Sequence, residues 1–474
     1  MYTRKQLENI AKTNPEVLVE ITLEQQRQLQ SFMLQIKKLE GQVNKNSSNS
    51  SKPPSSDGLK KRKKTKSLRK KSGKKPGGQK GHEGSCLEKT EEPDHIIPLP
   101  VTTCSCCADL KNVPVIAYDS RQVFELPEPK LEIFEYQREI KLCPHCGDLA
   151  KGQFPEGVNA PVQYGPRFRG MLVYMQNQQF IPADRLSKMV EDLYGTPVSA
   201  ATVLAASARS YNELEGFEES LIEALINSKV VQVDESGVRA VQKLHWLHSA
   251  STELLTFYGV HEKRGNVAMD DLNILPNFTG VLVHDFWKPY LKYDCEHALC
   301  NAHHLRELIF LIEQEEQVWA GKMFKHLLDM NDFVKDQSGQ LTPEQKEPWL
   351  EKYEHIIQEG WTENPLPEKP LKKKKGPTTK TKSQNLLTRL GNYQDAVLAF
   401  LHDIDVPFTN NLAEQDIRMI KVRLKISGGF RTLHGAQHFA RIRSYISTAR
   451  KQGCNILESI TAAIQGDPFL PSYH

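Results

Sequence analysis

The chain has 474 residues, of which 39% are hydrophobic and 25% are charged, and its formal net charge is +4. This length exceeds one ordinary core and predicts about two to four domains. The sequence contains no apolar run of the roughly 18 residues that a membrane span needs, and no signal-peptide apolar core follows the first residues. These features exclude a membrane-embedded protein and predict a cytoplasmic one.

Residues 1–45 predict an N-terminal helix, running from about Pro15 to Val43. Its apolar residues recur every seven positions and form a heptad seam. Such a seam is typical of a short parallel coiled coil, and hence of a homodimer or higher oligomer. An amphipathic helix docked on its own chain fits the pattern equally well. The seam consists of two series with a seven-residue spacing, Leu18, Gln25, Phe32 and Leu39, and Thr22, Leu29, Ile36 and Val43.

Residues 46–85 predict a disordered basic linker. Thirteen Lys or Arg stand against one acid in residues 51–80, which leaves a net charge of −8 for the rest of the chain. Such a block is typical of an arm that binds polyanions, because cations near phosphates release condensed counterions. A solvated linker is the alternative, and disorder does not prevent phosphate binding. The residues expected to contact phosphates are Lys61, Arg62, Lys63 and Lys64.

Residues 86–158 predict a zinc-binding segment. Two CxxC pairs occur there, with strand-like stretches at 121–126 and 134–140 between them. In an intracellular protein such pairs favour metal ligation over disulfides. Two knuckles can close a tetrahedral Zn²⁺ site, which lets a segment with little apolar content fold. The four candidate ligands are Cys104, Cys107, Cys143 and Cys146.

Residues 159–226 predict a helical domain of the kind that binds DNA. An apolar helix face ends at Gly195-Thr196-Pro197, and Ser199 then caps a second helix. A helix-turn-helix has this layout, and so does a plain helical hairpin. The second helix has few side chains suited to reading bases, which favours the hairpin.

Residues 227–430 predict an α/β domain, and residues 431–474 a C-terminal helical region. Apolar β-branched runs indicate strands at 229–234, 244–250, 255–260 and 280–285, with a helix at 266–275 before the last. Residues 296–312 are helical in character, and about 313–392 form a polar helical insertion. Three antiparallel strands, a helix, a further strand and later helices match the ribonuclease-H-like order.

Three acids form the candidate catalytic site. Asp234 and Asp285 each end a buried strand, so adjacent strands would bring both carboxylates to one edge of the sheet. Glu414 opens a basic helix and shares one face with three cations. Three such carboxylates can hold a pair of Mg²⁺ ions for phosphoryl transfer. The cations expected along the phosphate backbone are Arg418, Lys421, Arg423, Lys425 and Arg431.

Each acid also has a structural explanation. An acid at a strand end is common turn chemistry, and Asn411 with Glu414 three residues later forms a capping-box pattern. Glu235 is the rival acid beside Asp234, but alternation along a strand sends it to the opposite face. The CxxH of Cys300 and His303 is interpreted as packing beside the site, with half of a metal site as the alternative.

The chain resembles the transposases of the insertion sequence 66 family, which are DDE enzymes of bacterial mobile elements. The resemblance implies a triad of Asp234, Asp285 and Glu414, two Mg²⁺ or Mn²⁺ ions, and a structural zinc segment. Gln415 stands where the family tends to have arginine, and Phe286 where it tends to have glycine. The matching motifs lie at 46–57, the paired CxxC knuckles, 233–235, 243–248, 284–288, 300–308, 410–414 and 425–431.

The function implied by this resemblance is DNA transposition, with metal-dependent strand cleavage and strand transfer at the element ends. Its partners would be the terminal inverted repeats, the target DNA and accessory proteins of the same element. Two other functions fit the residues. A metal-dependent nuclease on the same fold would cut without joining, and a non-catalytic DNA-binding repressor would need no magnesium.

Overall fold

The computed structural model describes residues 3–45, 49, 87–366 and 380–472. The predicted basic linker, with Lys61, Arg62, Lys63 and Lys64, lies outside these residues apart from Asn49. No helix in the described ranges is long and apolar enough to cross a membrane.

Two helices begin the chain, α1 (Arg4–Thr13) and α2 (Pro15–Val43), which confirms the helix predicted from the heptad pattern. The first half of α2 packs against α1. Further along, the apolar residues of the seam are exposed, among them Leu29, Phe32, Ile36 and Leu39.

The predicted zinc segment contains a small antiparallel hairpin of β1 (Ile140–Leu142) and β2 (Leu149–Lys151). The strands predicted at 121–126 and 134–140 are wrong except at Ile140, since the described residues provide no ladder partner for either stretch. Their apolar side chains, such as Phe124 and Phe134, are exposed. Without a second layer to bury them, a period-two pattern does not produce a sheet.

Four helices follow, α3 (Pro166–Asn177), α4 (Ala183–Tyr194), α5 (Ala200–Glu213) and α6 (Glu215–Ile226). The predicted turn lies between α4 and α5, where Gly195 adopts φ +64° and ends the helix. The predicted cap is also confirmed, because Ser199 accepts a hydrogen bond from the Thr202 N–H at 3.1 Å.

A five-stranded mixed sheet forms the centre of the molecule. Its strands are β3 (Val230–Ala240), β4 (Lys243–Ser251), β5 (Thr256–His261), β6 (Val281–His284) and β7 (Glu296–Leu299). The spatial order is β5-β4-β3-β6-β7. β3, β4 and β5 are antiparallel, whereas β6 and β7 run parallel to β3.

Three boundaries differ from the predictions. The strand expected at 229–234 is β3, which continues to Ala240, so Asp234 lies within the strand and not at its end. The helix expected at 266–275 is α7 (Asn266–Asp271), because Asn273 turns into the left-handed region at φ +57° and Pro276 follows. The helix expected at 296–312 begins only at Asn301. Residues 296–299 instead pair with β6 as an edge strand too short for its pattern to be recognised.

A helical layer covers the β7 side of the sheet. It comprises α8 (Asn301–Glu315), α9 (Val318–Lys335), α10 (Pro343–Glu363), α11 (Lys382–Asn392), α12 (Gln394–Val397) and α13 (Ala399–His402). These helices share a core around the fully buried Trp319 and Tyr353.

The chain ends with α14 (Asn411–Ser427), α15 (Leu433–Lys451) and α16 (Ile456–Ile464). α15 covers the edge strand β5, where Thr448 Oγ1 and Ser444 Oγ accept the backbone N–H groups of Thr256 and Tyr258. Phe217 of α6 packs edge to face on Tyr445 of α15, with ring centroids 4.8 Å apart. The helices α3, α5 and α6 share a core with the sheet, whereas the buried Leu186 and Val190 of α4 belong to a separate apolar cluster.

Candidate active site

Asp234 and Asp285 are neighbours on two central strands of the sheet, at the point where β6 ends. The parallel pairing of β3 with β6 sets Val230 against Val281 and Gln232 against Val283. The same offset carried forward puts Asp234 opposite Asp285, which directly follows β6. Strand register therefore positions both acids. Asp285 follows the end of its strand as predicted, whereas Asp234 lies within β3 and not at its end.

Both aspartates are partly buried, and this burial raises the pKa of each. The pKa of Asp234 reaches about 7, because burial is reinforced by the negative charges of Glu235, Glu414 and Asp285. Its Oδ1 accepts the Glu235 N–H at 2.8 Å. For Asp285, burial outweighs a hydrogen bond from the Trp287 N–H, 3.1 Å from its Oδ1, and the positive charges of two nearby arginines. Carboxylates crowded in this way are stabilised by a cation.

Glu414 is brought to these aspartates by Asn410. The Asn410 side chain donates to the Val233 carbonyl at 2.7 Å, and its backbone N–H donates to Cys300 Sγ at 3.2 Å. α14 therefore starts against the residue that precedes Asp234. The predicted capping box is wrong, because Asn410 is the N-cap residue and no side chain caps the helix. Instead, Glu414 Oε1 is buried without a hydrogen-bond partner among the described residues.

Asp416 fixes α14 on the sheet. Its Oδ2 accepts Ser251 Oγ at 2.8 Å and Thr256 Oγ1 at 3.2 Å, and Lys451 Nζ lies at 2.8 Å. Asp416 was not among the residues predicted from the sequence. The pattern that could have identified it is an acid on the apolar face of the helix. It lies three residues after Ala413 and one before Ile417, both of which are buried.

Glu235 has a role separate from the three acids. Its Oε1 accepts Arg264 Nε at 2.8 Å, and its Oε2 accepts the hydroxyl of the buried Tyr290. The Arg264 guanidinium in turn lies over the rings of Trp246 at 4.8 Å and Trp287 at 4.1 Å. Glu235 is thus held in a structural ion pair, whereas Asp234 has no such partner cation within hydrogen-bonding distance among the described residues.

The segment from Cys300 to His304 is partly packing, as interpreted. Asn301 donates to the Val397 carbonyl at 2.9 Å, and its Oδ1 lies 3.1 Å from His304 Nδ1. Cys300 and His303, by contrast, lie close to Glu414. One donor atom of each lies within 4.8 Å of the other and of a Glu414 oxygen. Burial raises the pKa of Cys300 to about 11 and lowers that of His303 to about 4.

The cations of α14 differ in their surroundings. Arg418 is 68% exposed, with its guanidinium 3.6 Å from Glu414, and Lys421 Nζ lies 3.4 Å from the Gly237 carbonyl. Arg423 faces inward, stacks on Phe430 at 3.5 Å and donates to the Gly428 carbonyl at 2.9 Å. Burial lowers its pKa to about 10. These contacts give Arg423 a packing role, and its phosphate contact stays a prediction.

Lys425 and Arg431 lie further along the same surface. Lys425 is exposed, and the guanidinium of Arg431, itself 93% exposed, lies 3.8 Å from Asp184 of α4. Both cations are therefore accessible to a polyanion.

Phe286 and Gln415 are the two residues at which the sequence was expected to depart from the family it resembles. The Phe286 ring packs edge to face on Tyr393 at 4.9 Å, and the Arg389 guanidinium lies over it at 5.1 Å. An aromatic residue at 286 therefore ties the loop of Asp285 to the helical layer. Gln415 is exposed on α14 beside Glu414.

Each CxxC pair forms a tight turn. The Cys107 N–H donates to the Cys104 carbonyl at 2.9 Å, and the Gly147 N–H donates to that of Cys143 at 2.9 Å. Hydrogen bonds from Cys106 and from Cys146 lower the pKa values of Cys104 and Cys143 respectively. A lower pKa favours the thiolate, which is the form that binds zinc. Within the described residues, the two pairs do not meet in one compact donor cluster.

Three family models match the chain. The model described as Transposase IS66 family matches residues 161–438, more than half of the sequence, so the chain belongs to this family. The zinc-finger binding domain of transposase IS66 matches residues 102–147, which include all four candidate ligands, and supports a structural zinc. A family of unknown function matches residues 4–88. No curated protein matches the chain at a significant level.

The resemblance inferred from the motifs is thereby confirmed. Family membership supports a transposase role, with DNA cleavage as the activity and DNA as the partner.

Proposed function

We propose that the chain is a DNA transposase that cleaves and joins strands at the ends of its element, with Asp234, Asp285 and Glu414 as the catalytic triad. The observation that supports this most strongly is the meeting of three carboxylates where β6 ends, with the pKa of Asp234 raised to about 7 by burial first, then by the charge of Glu235, and further by those of Glu414 and Asp285. A fold gains nothing from crowding acids that remain uncompensated, so a functional cation site accounts for it.

The proposal includes a ribonuclease-H-like core. It is supported by the mixed sheet in the order β5-β4-β3-β6-β7, in which three antiparallel strands are followed by two parallel ones. This order puts the first and fourth strands of the sheet in contact. Asp234, within β3, then meets Asp285, the first residue after β6.

The donor set fits Mg²⁺ or Mn²⁺, which prefer carboxylate oxygens. Glu414 Oε1 is a buried acceptor without a hydrogen-bond partner in the described part of the chain. Two such ions supply Lewis-acid activation of the attacking and leaving oxygens. Asp234 and Asp285 would hold both ions, and Glu414 would complete the ligands of one. Arg418 and Lys421, on the same helix face, would align the scissile phosphate.

DNA binding is proposed to extend from this site along the basic surface. Lys425 and Arg431 continue the exposed stripe of Arg418 and Lys421, and the basic linker with Lys61–Lys64 would add phosphate contacts. The zinc segment and the α4–α5 hairpin would recognise the terminal repeats. The proposed ligands of the structural zinc ion in the zinc segment are Cys104, Cys107, Cys143 and Cys146.

Dimerisation through α2 is proposed on the basis of its exposed seam. Replacing Leu29 and Ile36 together with glutamate puts charges at the interface, so we expect a dimer to become a monomer. Light scattering on the full chain measures the mass. Gln30→Glu, on the same helix but off the seam, should leave the mass unchanged. A wild-type chain that is already monomeric would rule out the coiled coil and favour a helix docked on its own chain.

The function is tested with labelled DNA that carries the inverted repeats flanking the gene. We expect the full chain to cleave at the repeat end in the presence of Mg²⁺ and to join the new 3′-hydroxyl to a plasmid. Cleavage without joined products would indicate the nuclease. Repeat binding without any Mg²⁺-dependent product would indicate the repressor.

A further inference from the structure

A second donor set lies beside the three acids. Cys300, His303 and Glu414 each offer one ligand atom, and these atoms all lie within 4.8 Å of one another. It is the one cluster of three or more such donors in the described ranges. A thiol, an imidazole and a carboxylate are the donors that bind Zn²⁺, whereas Mg²⁺ prefers oxygen alone.

The local structure holds the first two donors together. Cys300 is the N-cap residue of α8 and His303 lies in its first turn, with the His303 N–H bonded to the Cys300 carbonyl at 3.1 Å. Side chains at the N-cap and third helical positions face each other, as in a capping box. Asn410 then brings Glu414 to this turn, since its N–H donates to Cys300 Sγ at 3.2 Å. Such a backbone donor to sulfur also suits a metal-bound thiolate.

Two polar atoms in this cluster are buried without hydrogen-bond partners among the described residues. They are His303 Nδ1 and Glu414 Oε1. Buried polar atoms are almost always satisfied, so a pair of orphans in one cluster indicates a group that the polypeptide does not supply. Donors around a tetrahedral zinc ion lie roughly 3.3–3.8 Å apart. The cluster therefore needs to contract by only about 1 Å, which side-chain rotation provides.

We propose that Cys300, His303 and Glu414 form a binding site for a thiophilic divalent cation of the Zn²⁺ class. On binding, the sulfur–metal bond forms and the thiol proton leaves to solvent. Three protein ligands leave one position for water, as in open zinc sites. Glu414 also belongs to the proposed magnesium set, so a cation held with Cys300 and His303 withdraws one carboxylate from that set. The site itself rests on geometry and does not depend on the proposed function.

The test measures metal content rather than activity. The full chain carrying Cys104→Ser and Cys107→Ser, which disables the zinc finger, is equilibrated with Zn²⁺, dialysed and analysed by mass spectrometry of metals. We expect about one zinc ion per chain to remain, and Cys300→Ser or His303→Ala to remove it. With Co²⁺ in its place, the parent should show a sulfur-to-cobalt absorption band that Cys300→Ser loses. Cys295→Ser, a half-buried cysteine outside the cluster, is the matched control.

Each outcome of the zinc measurement either supports or overturns the proposed site. Retention of zinc by both single variants, or a chain that binds none, overturns the site. Where Cys300→Ser fails to fold by circular dichroism, His303→Ala, at a partly buried position, provides the same comparison. A wild-type chain that gives no joined DNA, beside a Cys104→Ser/Cys107→Ser parent that retains its zinc ion, would overturn the proposed function alone. A wild-type chain that joins DNA, beside a parent that retains no zinc ion, would overturn this site alone.

Discussion

Asp234→Asn is expected to reduce strand cleavage and joining by about 10³-fold or more while leaving DNA binding intact. The amide keeps the shape of the side chain but cannot serve as an anionic ligand, and metal-assisted phosphoryl transfer depends on charge neutralisation. Cleavage and joining of labelled repeat ends measure activity, and gel shifts measure binding. Asp271→Asn removes the same charge from an exposed acid outside the site and should leave both unchanged.

The same variant should be more stable than the wild type without metal. The pKa of Asp234 is raised from 3.8 to about 7, so the folded state holds this proton more tightly than the unfolded state. The stability from the protonated group is fully present below about pH 4 and is lost as pH rises to about 7. Asparagine carries no such penalty. At pH 8 its free energy of unfolding should exceed that of the wild type by on the order of 2 kcal/mol.

With Mg²⁺ present, the wild type should become more stable than Asp234→Asn. The ion should raise the melting temperature of the wild type at pH 8 and have little effect on Asp234→Asn, because only the wild type binds the ion in the folded state. Below pH 7 the effect on the wild type should fade, since the ion must displace a proton. An Asp234→Asn chain that loses stability at pH 8, or that joins strands at the wild-type rate, would contradict the assignment.

Asp416→Ala is expected to lower the free energy of unfolding by about 3 kcal/mol. It leaves the charge of the Lys451 ammonium, which is 14% exposed, without its carboxylate partner, so that only the carbonyls of Thr252 and Leu255 remain as acceptors. It also removes the acceptor of the Ser251 and Thr256 hydroxyls. Urea unfolding followed by circular dichroism measures this loss. Because Asp416 anchors the helix that carries Glu414, Mg²⁺ binding should weaken in parallel.

The comparison for this variant is Asp329→Ala, which breaks the exposed i,i+4 pair with Lys325. Surface pairs of this kind contribute less than about 1 kcal/mol. Equal losses in the two variants would mean that Asp416 does not anchor α14.

The parts of the fold that follow from local pattern were predictable from the sequence. Long apolar runs indicated β3 and β6, and their common register then brought Asp234 and Asp285 together. β7 was missed because its four residues carry too short a pattern to separate from the helix that follows. The strands expected at 121–126 and 134–140 failed because a strand needs a partner, and no local signal specifies one.

The residues of the site also divide into those that a local pattern identified and those that depend on tertiary packing. Glu414 was selected by its cationic face, and that selection stands as a proposal. Its predicted capping role was wrong because the Asn410 side chain is used by Val233, a contact between residues distant in the sequence. Asp416 and the approach of Cys300 to Glu414 also depend on tertiary packing. Neither follows from spacing along the chain.

The central claim is that Asp234, Asp285 and Glu414 bind divalent metal ions for strand transfer. Anomalous diffraction from crystals of the full chain soaked in Mn²⁺ tests it most directly. We predict peaks about 2.0–2.2 Å from oxygens of all three carboxylates, with two ions roughly 3.5–4 Å apart when DNA is bound. Absence of any peak between Asp234 and Asp285 at millimolar Mn²⁺ would contradict the account.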